Sequence, residues 1–122
     1  IEPLRRAVKL APQPALIQVM LAQALIATND RRLADEAVGL LRSALAKEPE
    51  IPEGYAQLAM AYGKKGDLAQ ADLASAQAAF TRADYKTARE LATRAKGRFA
   101  VGSPGWVKAD DIASFKPPNV RN

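Results

Sequence analysis

The sequence predicts an all-α protein built of antiparallel helical hairpins stacked side by side as a solenoid, and three observations predict it. The chain of 122 residues contains 26 alanines, and alanine is both the strongest helix former and a side chain small enough to let helices approach closely. Leu4, Ala7 and Pro12 recur 37 positions later as Leu41, Ala44 and Pro49, each proline standing where a helical pattern cannot continue. Turn marks fall at Asn29-Asp30, Gly66-Asp67 and Ala83-Asp84, the last two 17 residues apart. Asn29 and Gly66 suit the left-handed conformation that closes a helix, and the following aspartate can cap the next one.

Taken in order, the pattern predicts a helix from Pro3 to Leu10, entered midway through a hairpin, then helices from Pro14 to Ala27 and from Arg32 to Lys47. Next come Glu53 to Lys65 and Asp67 to Arg82, the latter opened by Asp67 with Gln70 as a capping box. Tyr85 to Arg98 follows. Ser103-Pro104 is a start signal for a short last helix to Ser114, because serine caps and proline is preorganised at the first helical position. Residues 1–115 read as one helical repeat domain and 116–122 as a disordered tail. The helix from Asp67 can be read as completing one hairpin or opening the next, and the repeat phase after residue 66 stays open.

Aligned on the turns, Leu21, Ala22 and Leu25 fall in one first helix and Tyr55, Leu58, Ala59 and Tyr62 in another, with Ala37, Leu41 and Ala44 in the second helix between them. This resembles the tetratricopeptide repeat, whose period is about 34 residues. The resemblance implies a right-handed α-solenoid of helical hairpins. Tyr55 to Ala78 is the best match. The Leu21 repeat departs by three extra residues before Ala37, expected as a longer turn at Arg31 to Leu33.

Composition narrows the function. The chain has no histidine and no cysteine, so it lacks the commonest general base, the commonest metal ligand and any thiolate. Ser43, Ser75, Ser103 and Ser114 lie in no nucleophile-elbow context. Asp110 and Asp111 are adjacent on a helix, point apart and read as surface, not as a cation site. No catalytic residue, metal site or cofactor is expected. The stretch Ala15 to Ala27 is interrupted by Gln18 and Gln23 and falls short of the roughly 20 apolar residues of a bilayer crossing. Net charge is +5, with Arg82, Lys86, Arg89 and Lys96 near one face of a helix and Arg94 and Arg98 elsewhere. That face is read as solvated, because the aromatics needed to stack bases sit at repeat-core positions; no nucleic acid is expected as partner.

From Tyr55 onward the runs Gly63-Lys64-Lys65-Gly66-Asp67-Leu68, Ala74 to Phe80, Thr87 to Ala92, Gly102-Ser103-Pro104-Gly105-Trp106 and Ala109-Asp110-Asp111-Ile112 are similar to the C-terminal repeat region of bacterial zinc metalloproteases related to the CaaX-prenyl endopeptidase family. The resemblance implies a domain that recruits substrates or partners beside an N-terminal catalytic domain, in the periplasm or cell envelope. In that family the zinc site is a His-Glu-x-x-His helix plus a glutamate, and no position here can carry one of its histidines. A stand-alone scaffold for assembling an envelope complex is the alternative.

In repeat stacks of this kind the first helices line a concave face that meets a protein or an extended peptide. Its exposed positions are expected to be Gln23, Gln57, Met60, Lys64, Gln77 and Phe80, the amides pairing with peptide backbone and the methionine and phenylalanine giving apolar contact. Trp106 is expected to cover the open end of the last hairpin. The chain opens inside a helical pattern and reads as a fragment, whose apolar edge at Ile1 to Leu10 is expected to favour end-to-end dimers.

Overall fold

A computed structural model describes residues 14–51 and 53–117, which form six α-helices and, among the described residues, no strand. They are α1 (Ala15–Ile26), α2 (Arg31–Lys47), α3 (Gly54–Lys65), α4 (Leu68–Thr81), α5 (Tyr85–Lys96) and α6 (Pro104–Ala113). The all-α class is as the sequence predicts. The helix expected over Pro3 to Leu10, the apolar edge at Ile1 to Leu10 and the tail beyond Pro117 lie outside the described residues. The chain divides into two compact units, Ile1–Asp67 and Leu68–Asn122.

In the first unit α1 packs on α2, α2 on α3, and α3 less extensively on α1. Leu21, Leu25 and Leu41 are its largest fully buried side chains, with Ala22, Ala34, Ala37 and Ala44 sealed around them. Each leucine removed from water contributes on the order of 1.5–3 kcal/mol, and the alanines let the axes come close enough to seal it. Gln18 is buried among these apolar groups, yet both ends of its amide are satisfied. Its Nε2 donates to Ser43 Oγ at 3.1 Å, and Lys47 Nζ donates to its Oε1 at 3.3 Å. The amide thereby ties α1 to α2 without leaving an unpaired polar atom.

The longer turn that the repeat alignment puts at Arg31 to Leu33 is absent, and the helix begins at Arg31, one residue before its expected start at Arg32. Asp30 caps α2 at once, its Oδ1 accepting from Arg32 N at 2.9 Å, and Arg31 Nη2 donates to the Lys65 carbonyl at 2.5 Å. The three extra residues become nearly one more turn of a 17-residue helix. The same end of the unit carries further cations beside helix ends. Lys64 Nζ donates to the Ile26 carbonyl at 2.9 Å and to Asn29 Oδ1, while Lys65 Nζ pairs with Asp35 at 2.6 Å. Positive groups at helix C-termini satisfy free acceptors and complement the helix dipole.

In the second unit α4 packs on α5, α5 on α6, and α6 on α4. The fully buried residues of α5 are Ala88, Ala92 and Ala95, so methyl groups make the centre of the seam. Leu73, Ala95 and Ala109 form a core against which Phe99 and Ile112 pack. Asp72, its side chain 12% exposed, is held by Arg94 Nη2 at 2.8 Å on Oδ1 and by Arg98 Nε at 2.9 Å on Oδ2. The second contact is an ion pair without the alignment of a hydrogen bond. A buried carboxylate is tolerated because two cations face it.

Two helices end in the same way. At Gly66 (φ 83°) the Asp67 amide reaches back to the Tyr62 carbonyl and the Gly66 amide to Gly63, and at Ala83 (φ 62°) the Asp84 amide reaches Ala79 and the Ala83 amide Phe80. Both are Schellman closures, which need a left-handed residue. Asp84 then caps α5 through Thr87 N. A Cβ in that conformation costs roughly 1–2 kcal/mol. Ala83 is exposed and loses no packing if trimmed. Ala83→Gly is therefore expected to stabilise the protein by about 0.5–1 kcal/mol, part of the relief being offset by the freer unfolded chain. A raised midpoint in thermal melts followed by circular dichroism checks this, and an unchanged or lowered midpoint contradicts it.

Candidate peptide-binding surface

On α1 the inward positions are Leu21, Ala22 and Leu25. At about 100° per residue, Leu16, Met20 and Gln23 fall together on the opposite side. Gln23 is exposed, and Leu16 and Met20 are 56% and 45% exposed. On α3, with Leu58, Ala61 and Tyr62 buried, Met60 stands out at 51% exposed, flanked by half-buried Gln57 and Lys64. The Lys64 bond to Ile26 brings the C-terminal ends of α1 and α3 together, so these packed helices run the same way. Counting back at about 1.5 Å per residue sets Gln23 close to the level of Met60, and Met20 close to that of Gln57. Exposed apolar side chains and an amide thus stand on both helices, Leu16, Met20 and Gln23 on α1 and Met60 with Gln57 on α3, and these residues are taken together below as the α1–α3 strip.

Four of the six residues assigned to the concave face, Gln23, Gln57, Met60 and Lys64, thus belong to the first unit. The ammonium of Lys64 is engaged by Ile26 and Asn29. Gln77 and Phe80 are half-buried on α4 in the second unit, and the Phe80 ring meets those of Tyr85 and Phe115 edge-on at 5.3 and 4.8 Å. Leu16 and Met20 were not singled out from sequence. They lie in a segment apolar all the way round, where no polar stripe marks the outer face; fixing the register by Leu21 and Leu25 would have exposed them.

The cations in and beside α5 divide by role. Arg94 and Arg98, off the basic face in the sequence reading, clasp Asp72. Lys96 pairs with Asp110 at 2.7 Å and lies 5.0 Å from the centroid of the half-buried Trp106 ring, a distance at which a cation is drawn to an aromatic face. Arg82 and Lys86 are exposed.

Each residue of the Gly102 to Trp106 run has a structural task. Gly102 takes φ 82°, Ser103 Oγ caps the Trp106 amide at 3.3 Å, Pro104 opens α6, and Gly105 lies under the Phe99 ring. Trp106 supplies the face that Lys96 covers. Among the described residues no group of three or more acidic side chains gathers as a metal site, and no helix is long and apolar enough to cross a membrane. No protein-family model matches the chain, and neither a curated protein nor a solved structure matches it.

Proposed function

We propose that this chain is a protein- or peptide-binding module that takes up a partner segment along the α1–α3 strip, as part of a tetratricopeptide-like right-handed α-solenoid. One observation carries the reading. Leu16, Met20 and Met60 are large apolar side chains left in solvent, in a protein that fills much of its interior with alanine. Side chains of that size would stabilise more if buried, and on two packed helices left facing solvent they suit a ligand. Methionine adapts its shape to a partner, and Gln23 and Gln57 can pair with a peptide backbone. The resemblance of the Tyr55 to Ile112 region extends the proposal: the module serves as the C-terminal substrate- or partner-recruiting domain of a bacterial envelope zinc metalloprotease.

Panning a random peptide library against the chain tests the binding role. Peptides are expected to enrich, and Met20→Glu with Met60→Glu is expected to weaken them at least about tenfold, corresponding to roughly 1.4 kcal/mol, with helicity retained. Peptides that bind the double variant equally well, or no enrichment at all, would remove the strip as the site. For the protease context, a His-Glu-x-x-His motif encoded upstream of Ile1 is the expected finding; its absence removes the protease and leaves the binding reading standing.

A further inference from the structure

After α6 the chain does not simply trail away. Ser114 closes the helix, the Phe115 amide reaches back to the Ile112 carbonyl at 3.2 Å, and Phe115 to Pro117 continue outside any helix. The side chains alternate, Phe115 half-buried, Lys116 exposed and Pro117 buried. Two of the three side chains are thus taken up by the protein and the one between them is left in water. The surface offered to Phe115 is a pair of rings from elsewhere in the second unit, Phe80 in the last turn of α4 and Tyr85 at the start of α5. Five residues apart, these two would diverge on a continuous helix. The left-handed turn at Ala83 folds them together, centroids 5.3 Å apart at 73°.

The Phe115 ring completes the set, 4.8 Å from Phe80 at 77° and 5.2 Å from Tyr85 at 36°. Aromatic pairs at these separations attract beyond what their buried area alone provides. All three rings remain partly exposed, so the cluster sits at the surface, where a segment can leave and return without opening the core of Leu73, Ala95 and Ala109.

We propose that Phe80 and Tyr85 form a recognition site for an aromatic-x-Pro segment, occupied here by the chain's own Phe115-Lys116-Pro117 and open to exchange with the same segment of a second copy. The aromatic side chain enters the ring pair, the middle residue faces water, and the proline, its φ fixed by the ring, lowers the entropic cost of ordering the segment. This site is independent of the α1–α3 strip. It also makes Phe80 the ligand-contacting end of α4, with a ligand already in place.

The probe is a fluorescein-labelled peptide of residues 114–122, titrated by anisotropy into the full chain and into its Phe115→Ala variant. Saturable binding to Phe115→Ala is expected, and binding to the unsubstituted chain about tenfold weaker, because a segment tethered by a short link competes at millimolar effective concentration. A peptide carrying alanine in place of its phenylalanine is expected not to bind. Should Phe115→Ala lose helicity, Phe115→Leu, which keeps apolar bulk but gives up the ring pairing, replaces it in the same titration. No saturation up to millimolar peptide, equal affinity for substituted and unsubstituted chains, or indifference to the peptide's phenylalanine would each overturn the proposal.

Discussion

Leu41→Ala is expected to destabilise the protein by about 2–5 kcal/mol. Leu41 is 0% exposed on α2, the helix that packs on both α1 and α3. What places the effect high in that range is the company it keeps. Ala34, Ala37 and Ala44, buried on the same helix, have no rotamers with which to reach into a void, which limits how far the site can collapse. The lost transfer energy and the full cavity cost then add. Urea unfolding followed by circular dichroism should show a lower midpoint with an unchanged slope. A loss below about 1 kcal/mol would mean that the helices close over the gap.

Gly105→Ala sets two effects against each other. Alanine is better than glycine in a helix by roughly 1 kcal/mol, and on propensity alone the substitution should stabilise α6. Packing opposes it. A Cβ on Gly105 would lie 2.3 Å from Phe99 Cε1 and 2.5 Å from Cζ, far inside the separation of about 3.5 Å at which carbon atoms attract. The Phe99 ring, packed on the core of Leu73, Ala95 and Ala109, must be displaced or α6 must shift. The net expectation is a destabilisation of about 1–3 kcal/mol. Gly39→Ala serves as the matched control. That glycine is exposed within α2 with open space around it, so the same exchange should stabilise by about 0.5–1 kcal/mol. Equal effects at the two positions, in thermal melts of the two variants, would refute the packing argument.

The helices were legible because their signals are local. Every observed boundary falls within two residues of the expected one, since Asp30, Asp84 and Ser103 cap from adjacent positions and Gly66 and Asn29 close turns by their own conformational freedom. Ala83 was legible only as a turn. Nothing in an alanine announces a left-handed backbone, which here follows from the Schellman closure around it. The extra residues before Ala37 misled because an insertion read as a longer loop can equally lengthen a helix when the cap precedes it. Contacts between elements were out of reach. Asp72 is 22 and 26 positions from Arg94 and Arg98, and Phe115 is 35 positions from Phe80, distances at which periodicity carries no information. Of the side chains on the proposed surface, the exposure of Gln23 and Met60 was legible in the repeat register, whereas that of Leu16 and Met20 was hidden by the apolar character of their whole segment.

The α1–α3 strip has one more consequence, a spectroscopic one. The chain contains two methionines, and both, Met20 and Met60, stand on this strip and half out of the protein. Carbon-13 labelling of methionine methyls therefore yields a two-resonance spectrum in which neither signal comes from the interior. Any shift in those resonances reports on what happens at that surface, with the core silent.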